Sequence, residues 1–152
     1  MIISALKSSV DTDSRSPIHI DTISTLLNLG ADVFFEENIG MGINVSDKIF
    51  EQSGLKKFSR EECLKKGDLI ITNQPLGDDE LKLIKPNSTI LGMINPFSNQ
   101  ALIESCSNLK INLVSVEFIP RITRAQKMDV LSSQANLACL LYTSPSPRDI
   151  PL

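Results

Sequence analysis

Four polar residues stand close together near the C-terminal end of the chain: Arg121, Gln126, Asp129 and Ser132. The Gln126 amide both donates and accepts, Ser132 carries a hydroxyl, and Asp129 is an anion at neutral pH. Arg121 presents a fork of donors suited to a phosphate or carbonyl oxygen. Such a set can hold a polar ligand through hydrogen bonds and opposite charges. Gln126, Asp129 and the pair Ser132/Ser133 are three or four positions apart. If the segment is helical, that spacing puts Asp129 and Ser132 on neighbouring positions of one face. The same residues also read as an ordinary solvated face. Arg124 and Asp129 are then surface charges near a helix start, where an aspartate suits the macrodipole, and Ser132 and Ser133 are surface serines.

Short apolar runs alternate with amphipathic stretches upstream of this segment. Strands are expected at Met1–Leu6, Ala31–Phe35, Asp68–Thr72, Thr89–Ile94 and Asn112–Phe118. Helices are expected between them. One is capped by Asp21 and stopped by Gly30, and one runs from Ser46 to about Gly54. Another opens with the capping box Ser59-Arg60-Glu61-Glu62 and ends near Gly67. Two more cover Asp78–Leu83 and Asn99–Ser105, and a last one runs from Gln126 or Met128 to about Ala138. This alternation predicts an α/β fold with a parallel sheet and helices on both faces. In such a sheet the strand C-terminal ends share one edge, and ligands bind outside that edge. The Arg121–Ser133 segment follows the last strand, where a site is expected.

Composition narrows the class. The chain has 152 residues, 41% hydrophobic and 22% charged, with a net charge of −3. This is ordinary for one globular domain and gives no basic footprint for nucleic acid or anionic lipid. No apolar run approaches the ~20 residues needed to cross a bilayer, and Met1–Val10 does not read as a signal peptide. The three scattered cysteines, Cys63, Cys106 and Cys139, form no disulfide framework or paired metal motif and suit a reducing compartment.

The run Ile119-Pro120-Arg121-Ile122-Thr123-Arg124-Ala125-Gln126-Lys127-Met128-Asp129 and the following Leu131-Ser132-Ser133 and Asn136 resemble the signature of the proton-translocating NAD(P) transhydrogenase alpha subunit. The rest, to about Ala138, is similar to the N-terminal domain shared by alanine dehydrogenase and transhydrogenase, through Arg15, Pro75-Leu76, Asp78-Asp79-Glu80 and Asn95-Pro96. The resemblance implies a flavodoxin/Rossmann-like N-terminal domain whose Arg121, Gln126, Asp129 and Ser132 line the nicotinamide side of an NAD(H) cleft. It implies partners: an NADP(H)-binding component, a membrane proton-channel component and a second copy in a homodimer. It also implies a place on the cytoplasmic side of the inner membrane, reached through those partners. The family's opening Pro-Lys-Glu is replaced here by Ala5-Leu6-Lys7-Ser8, and its Arg-Val-Ala run by Arg15-Ser16-Pro17; Lys7 and Arg15 are left unassigned.

Two alternatives remain: an alanine dehydrogenase-like oxidoreductase, and a non-enzymatic domain for a small ligand or partner. The resemblance places a lysine and a histidine after the third and fourth expected strands of alanine dehydrogenase. Here those positions carry Asn73 and Asn95, amides that cannot serve as general acid or base. Transfer of a hydride between two nicotinamides needs neither. The lone His19 reads as a surface or structural residue. Gly40-Met41-Gly42 lacks the third glycine and the helix start of a dinucleotide fingerprint, and the resemblance places the main NAD-binding domain downstream.

Residues Cys139–Asp149 back-translate, in one frame, to a transposase sequencing-library adapter. The expectation is a family domain over 1–138, incomplete, followed at 139–152 by a non-native, disordered tail. A sequencing read across the Ala138 codon, from a library prepared without transposase, should show different codons after that point. The same codons followed by a stop would make the tail genuine.

Overall fold

The computed structural model describes residues 1–10 and 12–143, apart from the side chains of 141–143. The chain divides into two compact units, Met1–Ser115 and Val116–Leu152. In the first, six strands form one sheet: β1 (Ile2–Ala5), β2 (Asp32–Glu36), β3 (Lys56–Phe58), β4 (Leu69–Thr72), β5 (Thr89–Gly92) and β6 (Asn112–Ser115). Every pairing is parallel, and the order is β3-β2-β1-β4-β5-β6. The chain starts in the middle, winds outward through β2 and β3, then returns to the other side of β1. This is the doubly wound order in which ligand crevices form at the switch between the two halves. The expected parallel α/β sheet is thus present.

Five helices connect these strands: α1 (Ile20–Asn28), α2 (Asp47–Gln52), α3 (Arg60–Lys66), α4 (Asp78–Leu81) and α5 (Gln100–Asn108). Two apolar clusters sandwich the sheet. Ile3, Ala5, Val33 and Phe35 pack with Ile23 of α1 and Phe50 of α2. Phe34, Ile70 and Ile90 pack with Leu64 of α3, Leu81 of α4 and Leu102 of α5. Alternate residues of β2 therefore serve opposite faces, as a two-fold side-chain period requires. Helices on both faces leave the central strands little polar freedom, which is why β4 reads as Leu-Ile-Ile.

Several boundaries differ from the sequence reading. Helix α1 is capped by His19, whose extended backbone leaves Nδ1 to accept the Asp21 N–H at 3.4 Å. Asp21 instead sits in the first turn, where its charge opposes the positive helix end. Gly30 follows α1 with φ of 77° and donates to the Leu27 carbonyl, a left-handed stop. Ser59 and Glu62 form the expected capping box. Strand β3 is an addition: Lys-Lys-Phe offers one apolar residue, and the two lysines mark a protected sheet edge. Strands β5 and β6 stop short of the expected ends, and α4 ends at Leu81 rather than Leu83. A Cβ on Gly92 would lie 2.1 Å from the Thr72 carbonyl oxygen, so β5 ends where β4 comes too close for a side chain.

One guanidinium ties the C-terminal ends of β1 and β2 to α4. Arg60, the first residue of α3, donates from Nε to Glu80 at 2.6 Å and from Nη1 to Glu36 at 2.8 Å and to the Lys7 carbonyl at 2.9 Å. Glu36 also accepts the Lys7 N–H, and Glu80 the Gly77 N–H. The Arg60 side chain is only 23% exposed. Removing it strands two partly covered carboxylates. Arg60→Ala should lower the unfolding free energy in urea by about 2 kcal/mol. Arg60→Lys should restore little of it, because one ammonium cannot reach partners on both sides.

Candidate functional site

The second unit starts at Val116, directly after β6, with a 3-10 turn, Val116–Phe118. The expected continuation of the last strand to Phe118 is therefore replaced by this tighter turn. Pro120 is followed by a second 3-10 segment, Thr123–Met128, and then by α6 (Val130–Thr143). The sequence predicts one helix from Gln126 or Met128 to about Ala138. Two elements stand there instead, because Asp129 takes an extended backbone (φ −79°, ψ 91°) between them. Helix α6 runs five residues past Ala138, so 139–143 are helical; the rest of the expected tail lies outside the described residues.

Asp129 is the joint. Its Oδ1 accepts the Ser132 N–H at 2.9 Å, three residues into the turn it opens, which makes it the cap of α6. The residue is buried, at 7% exposed. Its pKa is lowered, first by the hydrogen bonds from Ser132 and also by the Arg121 charge nearby. Asp129 and Ser132 are thus linked by a capping bond rather than as two side chains on one helical face.

The 3-10 geometry decides which residues meet. With three residues per turn, side chains three apart eclipse one another. Thr123, Gln126 and Asp129 consequently share one side, and Ala125, out of phase with them, is buried. A cavity of about 280 Å³ opens on that shared side and is lined by Arg121, Ile122, Thr123, Gln126, Asp129 and Ser132. All four residues singled out from the sequence line it. Ile122 and Thr123 were not singled out; the three-residue spacing from Thr123 to Gln126 to Asp129 was the available signal. The cavity offers an amide, two hydroxyl-bearing residues, a guanidinium and an ionised carboxylate around an apolar Ile122. That set can hold a polar ligand through hydrogen bonds and opposite charges.

The first unit carries a different set at the carboxyl edge of its sheet. Lys7, Ser8, Asp13, Ser14, Arg15 and Asn38 line a second cavity, also of about 280 Å³. Beside it, Asn73 donates from Nδ2 to the Arg15 carbonyl at 3.1 Å. Asn95, with φ of 50°, offers its carbonyl to Asn99 Nδ2 at 3.1 Å. Neither amide can exchange a proton near neutral pH. Cys63 is fully buried, and burial, followed by the charges of Glu36 and Glu62, pushes its thiol up to about 12. Burial also raises the pKa of Cys106; neither supplies a thiolate nucleophile. Among the described residues no group of three or more His, Cys, Asp or Glu is placed to hold a metal ion. Nor is any described helix long and apolar enough to cross a membrane.

Strand order and helical layers together define a doubly wound α/β domain of Rossmann type. Residues 6–138 match the model of the alanine dehydrogenase/PNT N-terminal domain, and the chain belongs to that family. Over 142 residues it is 32% identical to the Rickettsia prowazekii protein that forms the first part of NAD(P) transhydrogenase subunit alpha, covering 90% of this chain and 37% of that protein. The protein of the same description from Rhodospirillum rubrum is 32% identical over 132 residues, covering 83% and 34%. Among solved structures, the transhydrogenase of Sinorhizobium meliloti superposes with a TM-score of 0.86 at 30% identity, covering 91% of this chain and 41% of that one. An L-alanine dehydrogenase shares the fold, with a TM-score of 0.75 at 17% identity, covering 97% of this chain and 43% of that one. The chain thus spans about a third of the length of the curated relatives it matches.

The cap has a pH consequence. The folded pKa of Asp129 lies below its unfolded value. Its contribution is therefore fully present above about pH 4 and is lost as pH falls through the folded pKa. The Ser132 amide resonance, followed by NMR, should shift upon acidification below about pH 4, and Asp129→Ala should abolish that titration.

Proposed function

We propose that the Arg121–Ser132 cavity receives the nicotinamide end of NAD(H), and that the chain is the NAD(H)-side domain of a proton-translocating NAD(P)+ transhydrogenase. The observation that carries this reading is the convergence of Arg121, Gln126, Asp129 and Ser132 on one cavity. The Gln126 amide matches the carboxamide, which fixes the ring's orientation. Asp129, held ionised by its own cap, stabilises the positive charge of the oxidised ring. Arg121 and Ser132 supply further donors at the rim. When bound, the nucleotide supplies a hydride, which moves with both its electrons directly to a second nicotinamide. No proton is exchanged with a side chain, so the amides at Asn73 and Asn95 are no obstacle. The residues need only hold the ring, orient it and keep water away.

The second nucleotide, NADP(H), belongs in this reading to a partner component, and proton movement to a membrane component. The relatives described as the first part of an alpha subunit favour such a multi-component arrangement. In the same reading the working unit is a homodimer, docked on the cytoplasmic side of a membrane through those partners. In this reading the 152 residues, which span about a third of the length of the relatives they match, bind NADH weakly and transfer no hydride alone.

Saturation-transfer NMR with NADH tests the assignment. The nicotinamide protons should receive saturation from the native chain. Gln126→Ala and Arg121→Ala should each weaken that contact about tenfold, the cost of one charge-assisted or well-placed hydrogen bond. Unchanged nicotinamide saturation in both variants would remove the ring from this cavity.

A further inference from the structure

Two hydroxyl-bearing residues line the Arg121–Ser132 cavity, Thr123 and Ser132, and they are not equivalent. Ser132 is committed to the chain itself. Its N–H donates to Asp129 Oδ1 at 2.9 Å, and its hydroxyl acts on the same carboxylate, whose pKa both contacts lower. Ser132 is half-buried, whereas Thr123 is exposed. Among the described residues nothing is hydrogen-bonded to the Thr123 hydroxyl. Thr123 stands one 3-10 turn, about 6 Å, before Gln126 and on the same side. Asp129 follows one turn after Gln126, at the other end of that line.

A carboxamide presents one carbonyl oxygen and two N–H groups. Paired with the Gln126 amide at two points, it would keep one N–H and one carbonyl lone pair spare. Arg121 only donates, so it can serve the lone pair but not the N–H. With Ser132 turned to Asp129, Thr123 is the neutral acceptor left in the cavity lining. A cationic ring set against Asp129 would also aim its carboxamide, which lies away from the charged ring nitrogen, at the Thr123 end. We propose that the Thr123 hydroxyl accepts the second carboxamide N–H, so that Thr123, rather than Ser132, is the hydroxyl that reads the ligand. Ser132 is then a positioning residue that acts through Asp129. This inference rests on the nicotinamide reading of the cavity and adds to it a residue that selects an amide over a group of the same shape without the N–H.

The test pairs a protein variant with a ligand variant. Saturation-transfer titrations compare NAD+ with its 3-acetylpyridine analogue, in which a methyl group replaces the carboxamide nitrogen. Thr123→Val, which keeps the side-chain shape and removes the hydroxyl, should weaken NAD+ about fivefold, the cost of one hydrogen bond. It should leave the analogue unchanged, because the N–H that meets the hydroxyl is missing there. Thr123→Ser should bind NAD+ as the native chain does. Ser132→Ala should instead raise the pH at which the Asp129 carboxyl titrates by NMR, which Thr123→Val leaves in place. Equal weakening of both ligands in Thr123→Val, or NAD+ held as before in Thr123→Val but lost in Gln126→Ala, overturns the Thr123 assignment alone. An Asp129 titration unmoved in Ser132→Ala overturns the role given to Ser132. Unchanged NAD+ contact in Gln126→Ala and Arg121→Ala as well takes the ring out of the cavity, and both readings fall.

Discussion

Parallel pairing of β1 with strands on both its sides is the constraint on which the first unit rests. Ile3 pairs in register with Val33 of β2 and with Leu69 of β4. A strand so placed has no edge and no wet face, so its side chains must serve two cores at once. Ile3 and Ala5 meet α1 and α2, while Ile2 packs against the opposite cluster. Parallel strands also need a crossover between each pair, so all six C-terminal ends fall on one side. The polar residues that follow β1, β2 and β4 are then brought together although they lie up to 66 positions apart, as Ser8 and Gln74 are.

Much of this was legible in the residues. Buried strands announced themselves through Leu69-Ile70-Ile71, and helix ends through the Ser59/Glu62 box and through Gly30. These are local signals, and local physics decides them: a cap bond or a left-handed turn does not depend on distant partners. What escaped was decided by tertiary context. Lys56-Lys57-Phe58 has no strand pattern of its own and becomes β3 only because β2 offers a ladder beside it. Cap identity at α1 passed from Asp21 to His19 because either side chain can meet an open N–H, and backbone geometry chose between them.

The second unit shows a subtler gap. Its residues were identifiable by type, and their spacing was read on a 3.6-residue helix. A 3-10 segment brings Thr123, Gln126 and Asp129 into line by a different period, and Asp129 breaks the helix that the spacing assumed. Residue identity and element geometry are separable pieces of information here. The chemistry of Gln126 and Asp129 is the same under either backbone; which neighbours join them, Thr123 above all, is not.

That period sets what length changes the segment can absorb. Each residue of a 3-10 helix advances the side chain by about a third of a turn. One residue added between Thr123 and Gln126 would swing the amide off the cavity side and bring a neighbour in its place, with the sequence otherwise intact. Three added residues would return it to phase, one turn further along. Divergence among relatives is therefore expected to alter side chains here far more readily than length, and gaps that do occur should come in threes.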